Sequence, residues 1–300
     1  MTIAAAGPGQ ADPSDEGAIA TLMAHPRFTD AVRHIGARYL ALHADWHIHK
    51  LVADEGRFLI CQYAICLHAG YDPRWPDSGL TLSRLVRQCT AFGIMAHGRV
   101  EAMVALLRSN GRLVDAPPGP DRRIRRLAPS PEMEAEFRDR LRYHLEALDL
   151  VMPGRGYLPR LETDPGFFWA FERHRGSMVA ALPSLRLRLP GLVALAHVEG
   201  GYLVMMALIQ GIEGLLRPTD IIFPVVEQAA RLGLSRTQLA RVLESLAGMG
   251  LIESIDGRIR KVRIMPEAIE TMLAWHAVRL LRHDRNAARA AAERDGLAQP

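Results

Sequence analysis

The chain contains nearly the same twelve-residue phrase twice, 135 positions apart. Residues 121–132 read DRRIRRLAPSPE and residues 256–267 read DGRIRKVRIMPE, so that Asp, Arg, Ile, Arg, Pro and Glu recur in register. A repeat at this distance is too long for a solenoid and suits a duplicated domain. Whatever the chain folds into is therefore expected to use the same local unit twice.

The residues that precede each copy predict the same elements in the same order. Apolar residues recur there at positions 1, 4, 5 and 8, which places them on one face of a helix. These residues are Val100, Met103, Val104 and Leu107 in the first half and Leu239, Val242, Leu243 and Leu246 in the second. Gly93 and Gly233 are expected to end the helix before it, and Ser235 suits an N-cap. Both halves thus predict helix, turn, helix, hairpin and helix, over at least 80–150 and 219–285.

Turn residues divide the rest of the chain into further elements. Other helices are predicted over 30–51, 56–68, 167–181, 185–198 and 201–215. The hairpins are expected to pair 112–114 with 123–127, and 251–254 with 258–264. Pro131-Glu132 and Pro266-Glu267 suit the first turn of a helix, and Pro218-Thr219-Asp220 is expected to cap a helix that runs to Arg231.

These elements predict a mainly α fold with small β-wings, in which two winged helix-turn-helix units pack through their flanking helices. The predicted organisation is a disordered N-terminal lead (1–26), a first unit (27–152), a Pro/Gly-rich linker (153–165), a second unit (166–295) and a frayed tail (296–300). Some 49% of the residues are hydrophobic, which is ample for two globular cores.

Composition narrows the classes of function. A net charge of +4 and a pI near 9.2 permit a polyanionic partner without requiring one. Cys61, Cys66 and Cys89 show no metal or redox spacing and fit a reducing compartment, and no apolar run reaches the length of a membrane span. We therefore expect a cytoplasmic protein.

Motifs for catalysis or cofactors are missing from the sequence. It contains no phosphate loop, GxGxxG, HExxH or GxSxG motif, so we expect neither an enzyme nor a cofactor. His43 and His47 are spaced i, i+4, but twelve histidines are scattered along the chain and no ligand cluster with recognisable spacing accompanies this pair. We therefore expect no metal site.

A helix-turn-helix followed by a basic hairpin favours contact with double-stranded DNA, since a helix fits the major groove and a hairpin can follow phosphates. The candidate DNA-binding residues are His97, Arg99, Arg122, Arg123, Arg125, Ser235, Arg236, Thr237, Gln238, Arg241, Arg258, Arg260 and Lys261. Within the first hairpin, Arg123 and Arg125 are expected to point away together while Ile124 packs inward.

With its Asp-x-Arg hairpin and following Pro-Glu helix start, this order resembles the MarR family of bacterial winged-helix transcriptional regulators. The resemblance places the family's wing signature at Asp121/Arg123 and Asp256/Arg258, with each arginine entering a minor groove. It implies a DNA-binding regulator, associated with the nucleoid, that recognises an imperfect palindrome. Because the family dimerises through terminal helices, two units in one chain imply a monomeric pseudo-dimer or a homodimer. Whether a small-molecule effector acts on it stays open.

The two units are not equal at their second helix. Residues 95–99 (MAHGR) offer fewer base-reading side chains than 235–241 (SRTQLAR), so the second unit is expected to read its half-site more strictly. Two alternatives stay open: a winged-helix protein-interaction scaffold, in chromosome organisation or associated with a polymerase, and a tandem winged-helix replication initiator. Basic hairpins can also be solvated edges that prevent sheet aggregation.

Overall fold

The protein is mainly helical, and its described residues form two small antiparallel sheets. The computed structural model describes residues 13–43, 55–75, 77–119, 121, 123–180, 195, 198–212, 220–255 and 261–297. The first half contains helices α1 (Pro13–Met23), α2 (Phe28–His43), α3 (Glu55–Ala69), α4 (Leu82–Ala91), α5 (His97–Ser109) and α6 (Pro131–Val151). The second half contains α7 (Tyr157–Thr163), α8 (Pro165–Ala180), α9 (Gly201–Gln210), α10 (Val225–Arg231), α11 (Arg236–Gly248) and α12 (Pro266–Arg294). The strands are β1 (Leu113–Asp115), β2 (Leu127–Pro129), β3 (Asp220–Ile222), β4 (Ile252–Ser254) and β5 (Lys261–Ile264).

Both copies of the repeated phrase contain a strand and end in the first turn of the next helix. In the first half β1 pairs with β2, and Val114 lies opposite Ala128. In the second half the sheet order is β3-β5-β4, with Val262 between Ile221 and Ser254. In the first half, a single backbone hydrogen bond takes the place of β3. The N–H of Leu127 donates to the carbonyl of Leu80 at 2.9 Å. Each hairpin is thus hydrogen-bonded to the segment that precedes the helix-turn-helix of its half, which starts at α4 or α10.

Left-handed glycines end α4 and α10 in the same way, as the sequence predicts. Gly93 has φ 63° and Gly233 has φ 66°, a conformation that side chains disfavour. Ile94 N–H then bonds the carbonyl of Cys89, and Leu234 N–H bonds that of Ala229, both at 2.9 Å. The chain reverses and starts α5 and α11, whose predicted apolar faces are buried.

Equivalent helices of the two halves pack in an equivalent way. Helix α2 packs on α6 and α9, while α8 packs on α12 and α3. The long helices α6 and α12 also contact each other. Buried side chains from both halves form one hydrophobic core, so each half completes its core with helices of the other.

A second repeat, RHIG at 33–36 and RHRG at 173–176, accounts for this arrangement. The Arg33 guanidinium donates to the carbonyl of Ile212, just beyond α9. Correspondingly, Arg173 donates to the carbonyl of Ala69, at the end of α3 (3.0 Å). Helix ends leave carbonyls without intrahelical partners, so each arginine satisfies one such group in the opposite half.

Two segments predicted to lack regular structure contain helices. Within the predicted disordered lead (1–26), residues 13–23 form α1, which packs on α12 and buries Leu22. Within the predicted linker (153–165), Tyr157–Thr163 form α7, which buries Tyr157 and Leu161. Helix α1 is held by α12 at the other end of the chain, and α7 by its neighbours α6 and α8 together with α12, which local Pro and Gly content does not reveal.

Two local predictions are also wrong, and a third concerns residues outside the described ranges. Asp220 does not cap a helix, because it begins β3 and pairs with Arg263 of β5, while α10 starts only at Val225. The strand predicted over 123–127 is displaced to Leu127–Pro129. Helical residues predicted over 44–51, at 181, and over 185–194, 196–197 and 213–215 lie outside the described residues. No helix in the described ranges is long and apolar enough to cross a membrane.

Candidate nucleic-acid interface

The start of α11 is held by a reciprocal cap. The Ser235 hydroxyl accepts a hydrogen bond from the backbone N–H of Gln238 at 3.1 Å, and the Gln238 side-chain oxygen accepts one from the N–H of Ser235 at 3.0 Å. This capping box confirms Ser235 as the N-cap and fixes the helix start. The side-chain NH₂ of Gln238 and the hydroxyl proton of Ser235 are left to donate outward.

Arginine and threonine side chains cover the outer face of the first turns of α11. Arg236, Thr237 and Arg241 are exposed, opposite the buried face of Leu239, Val242, Leu243 and Leu246. Neither arginine forms an ion pair with any described residue. The helix N-terminus adds its own partial positive charge. The result is a rigid, unneutralised cationic edge that can donate hydrogen bonds to an anionic or base-edge acceptor.

The equivalent edge of α5 is weaker. Its N-cap, Ala96, has no side-chain cap. His97 is exposed but lies 3.3 Å from the Glu101 carboxylate, and Arg99 is exposed without an ion pair to any described residue. Leu106 on the same helix is 40% exposed. This helix therefore presents one unpaired cation where α11 presents two.

The first hairpin presents its arginines outward. Arg123 and Arg125 are exposed and Ile124 is partly buried, the alternation expected from the sequence, although these residues form a loop rather than a strand. The Asp121 carboxylate accepts the backbone N–H of Arg123 at 2.9 Å and so shapes the tip. Arg126 instead lies over the Tyr71 ring at 3.8 Å and donates to the carbonyl of Pro117. Arg122 lies outside the described residues.

In the second hairpin the described cations are paired within the sheet. Lys261 lies 3.1 Å from the Asp220 carboxylate, and Arg263 lies 2.7 Å from it. Hydrogen bonds from Lys261 and Arg263 lower the pKa of Asp220. The predicted contact residue Lys261 therefore already has an anionic partner, a point hidden in the sequence because Asp220 lies on a distant strand. Asp256, Arg258 and Arg260 lie outside the described residues.

The cysteines and His43 belong to the core rather than to a site. All three thiols are buried, and burial raises the pKa of Cys61 and Cys89 to about 12, so neither is a reactive thiolate at neutral pH. His43 is buried, and its Nδ1 lies 2.8 Å from the carbonyl of Tyr39. Asp45, His47 and His49 lie outside the described residues, which themselves hold no cluster of three potential metal ligands.

Sequence reasoning missed two sets of buried polar residues, one between α3 and α8 and one between the long helices α6 and α12. Glu172 accepts a hydrogen bond from Gln62 at 2.6 Å and one from Arg175 at 3.1 Å, all three being buried. The rings of His144 on α6 and His283 on α12 stack with centroids 4.6 Å apart. The RHxG repeat was the available signal for this region, because His34 and His174 follow its arginines and pair with Glu146 and Glu293.

In comparisons with known proteins, no family model, no curated protein and no solved structure matches the chain.

Proposed function

We propose that this protein is a sequence-specific, double-stranded DNA-binding transcriptional regulator of the MarR-like winged-helix type. Two tandem winged-helix units in one chain would read the two parts of an imperfect palindrome in the nucleoid. The observation that carries the proposal is the pair of exposed arginines, Arg236 and Arg241, on the capped helix that follows a tight turn. The matching order of helices and hairpins in both halves supports two readers.

In this proposal α11 is the recognition helix of the second unit. Arginine can donate two hydrogen bonds to the major-groove edge of guanine, which suits Arg236 and Arg241 as base readers. Thr237, on the first turn, suits a phosphate oxygen, and the helix N-terminus favours the same charge. Arg123 and Arg125 on the first hairpin would follow the backbone and contribute affinity that weakens with salt.

The difference between α5 and α11 predicts unequal readers. His97 faces Glu101 and Arg99 is the unpaired cation of α5 within the described residues, so the first unit would hold mainly the DNA backbone. The second unit would read its half-site more strictly. Because one chain supplies both readers, the monomer is sufficient for binding in this proposal.

The first experiment is a selection of genomic DNA fragments with the purified protein at two salt concentrations. A two-part motif whose occupancy falls steeply with salt would support a DNA-binding regulator. Recovery no better than with a control protein would refute it. Selected sites at many promoters favour a regulator, whereas clustering at one origin would favour a replication initiator.

Substitutions then test the assignment of the readers. Arg236→Ala and Arg241→Ala should each weaken binding to the selected site by about 1–3 kcal/mol and relax base preference. Arg123→Ala should weaken all sequences alike and reduce the salt slope by about 1. Arg289→Ala removes an exposed arginine from α12 and serves as the matched control. Unchanged affinity of the Arg236 and Arg241 variants at physiological salt would contradict the mapping.

Exposed apolar side chains favour a second candidate function, a surface for a protein partner. Leu106 on α5 is 40% exposed and Val114 on β1 is 42% exposed in the first half, and Ile222 and Val226 are 78% and 56% exposed in the second. Capture of a protein partner that Leu106→Glu abolishes, together with DNA recovery at the control level, would favour the scaffold.

A further inference from the structure

The outward face of α5 differs in character from the equivalent face of α11. It consists of the exposed residues Gly98, Arg99, Glu101, Ala102, Ala105, Leu106, Arg108 and Ser109. Aligning the two helices through their buried faces matches Ala102 with Arg241, Ala105 with Glu244 and Leu106 with Ser245. At these three positions α5 carries apolar groups where α11 carries charged or polar ones. The two copies of this helix therefore present different chemistry to a partner.

Apolar groups are exposed on the outward face of α5 and beside it. Leu106 is 40% exposed, although the other large apolar residues of this helix are buried. Strand β1 contacts α5 and exposes 42% of Val114, where the second half has Glu253. At Gly98 an added Cβ would meet no atom within 4 Å, so the helix surface is open there. Exposed apolar groups that lie together indicate contact with another protein.

The small residues of this face have the spacing of a two-helix coiled coil. Gly98, Ala102, Ala105 and Ser109 are separated by four, three and four positions, which aligns them along one seam. The opposite side of α5 is the one buried in the core of the protein. Small side chains at a contact allow two helix axes to approach to about 8 Å. The outward face of α5 therefore has the shape to receive a second helix.

The charges beside this seam suit a second copy of α5 in the antiparallel direction. With Ala102 of one copy opposite Ala105 of the other, Glu101 lies beside Arg108 of the second copy. The contact is isologous, so this pairing of opposite charges occurs twice. In a parallel pair Glu101 would instead lie beside Leu106 of the second copy. The charges therefore favour one partner and one direction.

The present partners of these two charges leave them accessible. The Glu101 side chain is 49% exposed and lies 3.3 Å from His97, which is charged only when protonated. The Arg108 side chain is 48% exposed and lies 3.0 Å from Asp115, which is itself 70% exposed. Exposed ion pairs contribute little to stability. Glu101 and Arg108 can therefore turn towards a second copy at little cost to the fold.

We propose that the outward face of α5 binds the same face of a second copy of this protein, antiparallel and with two-fold symmetry. Leu106 of each copy would pack on the aliphatic stem of Arg99 of the other. Helix α5 has 13 residues, so the seam is about 20 Å long. We expect such a contact to bury less than the roughly 1,200 Å² at which stable interfaces begin. The pair would therefore form reversibly and at high protein concentration.

This inference goes beyond the proposed function and is compatible with it. In that proposal α5 faces DNA, so a second copy and DNA would exclude each other on this helix. The single chain that binds DNA would then be the dissociated form. Self-association is measured without DNA, so its outcome is independent of whether the protein binds DNA.

Sedimentation velocity of the full chain over a concentration series tests the pairing. We expect a monomer–dimer equilibrium. Leu106→Glu should raise the dissociation constant roughly tenfold or more, because it replaces an apolar contact by a charge. Ser245→Glu, the same change at the equivalent position of α11, is the matched control and should leave the dissociation constant unchanged. A protein that stays monomeric throughout would overturn the proposal and leave this face to DNA or to a different protein. A dimer that persists unchanged in Leu106→Glu would also overturn it, since the contact would lie elsewhere.

Charge reversals test the direction of the pair. Glu101→Arg and Arg108→Glu each bring like charges together and should each weaken pairing several-fold. The double variant exchanges the charges and should pair like the wild-type protein, and an equal mixture of the two single variants should form heterodimers. Failure of both the double variant and the mixture to pair would refute the antiparallel contact. Both positions are exposed, so every variant is expected to fold, and thermal unfolding followed by circular dichroism checks this.

Discussion

At the scale of single residues, the two helices proposed as readers differ at the N-cap. Ser235 before α11 has φ −71° and ψ 154°, and Ala96 before α5 has φ −66° and ψ 149°. The backbone is thus nearly the same at both positions, but only Ser235 supplies a side-chain acceptor to the first turn. The Ala96 position is ready for a cap that the sequence lacks.

Exchanging these N-caps should change stability in opposite directions. Ser235→Ala should lower the free energy of unfolding by about 1 kcal/mol, and Ala96→Ser should raise it by roughly 0.5–1 kcal/mol. Urea unfolding followed by circular dichroism measures both. Ala102→Ser, at an exposed position inside α5, is the control and should be neutral or slightly destabilising. A destabilised Ala96→Ser protein would show that the first turn of α5 cannot use the hydroxyl.

At the scale of helices, the RHxG repeat provides a matched pair of glycines. An added Cβ at Gly36 on α2 would lie 2.3 Å from the Gln210 side-chain nitrogen and 2.6 Å from the Met206 methyl group of α9. The same Gln210 nitrogen donates to the carbonyl of Arg33 at 3.0 Å, so it cannot move without losing that bond. At Gly176 on α8 the nearest atom, Cys66 Cβ, is 3.9 Å away.

Alanine at these two glycines should therefore have opposite effects. Gly36→Ala should destabilise the protein by about 1–3 kcal/mol through overpacking of α2 against α9. Gly176→Ala makes only an ordinary van der Waals contact and should be neutral or stabilise by roughly 0.5–1 kcal/mol, because alanine favours a helix. Unfolding free energies from denaturant titrations compare the two proteins. Equal losses in both variants would mean that the halves pack alike at these positions.

The sequence predicted the elements that depend on neighbouring residues and missed those that depend on contacts with distant parts of the chain. Periodicity and glycine turns predicted α5 and α11 and their buried faces, and the same faces predicted that Arg236 and Arg241 point outward. Helix α1 was missed because its burial depends on α12, at the other end of the chain. The pairing of Lys261 with Asp220 was missed because it depends on strand register, which one hairpin does not reveal.

At the scale of the whole molecule, both halves share one core, and ionisable groups are enclosed where they meet. His144 on α6 stacks on His283 on α12. His276 precedes His283 on α12, and its Nε2 lies 3.4 Å from the Tyr202 hydroxyl. All three are buried, and Arg279 and Arg175 are the cations that face the stacked pair. The interface between the two halves therefore disfavours additional positive charge.

Mild acid should lower the free energy of unfolding through this interface. Burial is the largest cause that lowers the pKa of His144, His283 and His276, the last to about 3, from an ordinary value of 6.5. Both states are neutral well above pH 6.5, so stability is complete there. As the pH falls from 6.5 towards the folded-state pKa, the unfolded chain binds protons that the folded chain excludes, and stability is lost. Each histidine contributes up to about 1.4 kcal/mol per pH unit, so three contribute roughly 4 kcal/mol per unit.

Urea unfolding between pH 7.5 and 5 measures this slope above the range in which most carboxylates titrate. His276→Gln cannot gain the proton and should reduce the slope by about a third. The effect must appear below pH 6.5 and not at pH 7.5, where the substitution changes packing alone. Constant wild-type stability from pH 7.5 to 5 would mean that water reaches these imidazoles in the folded protein. The interface between the halves would then be accessible to solvent.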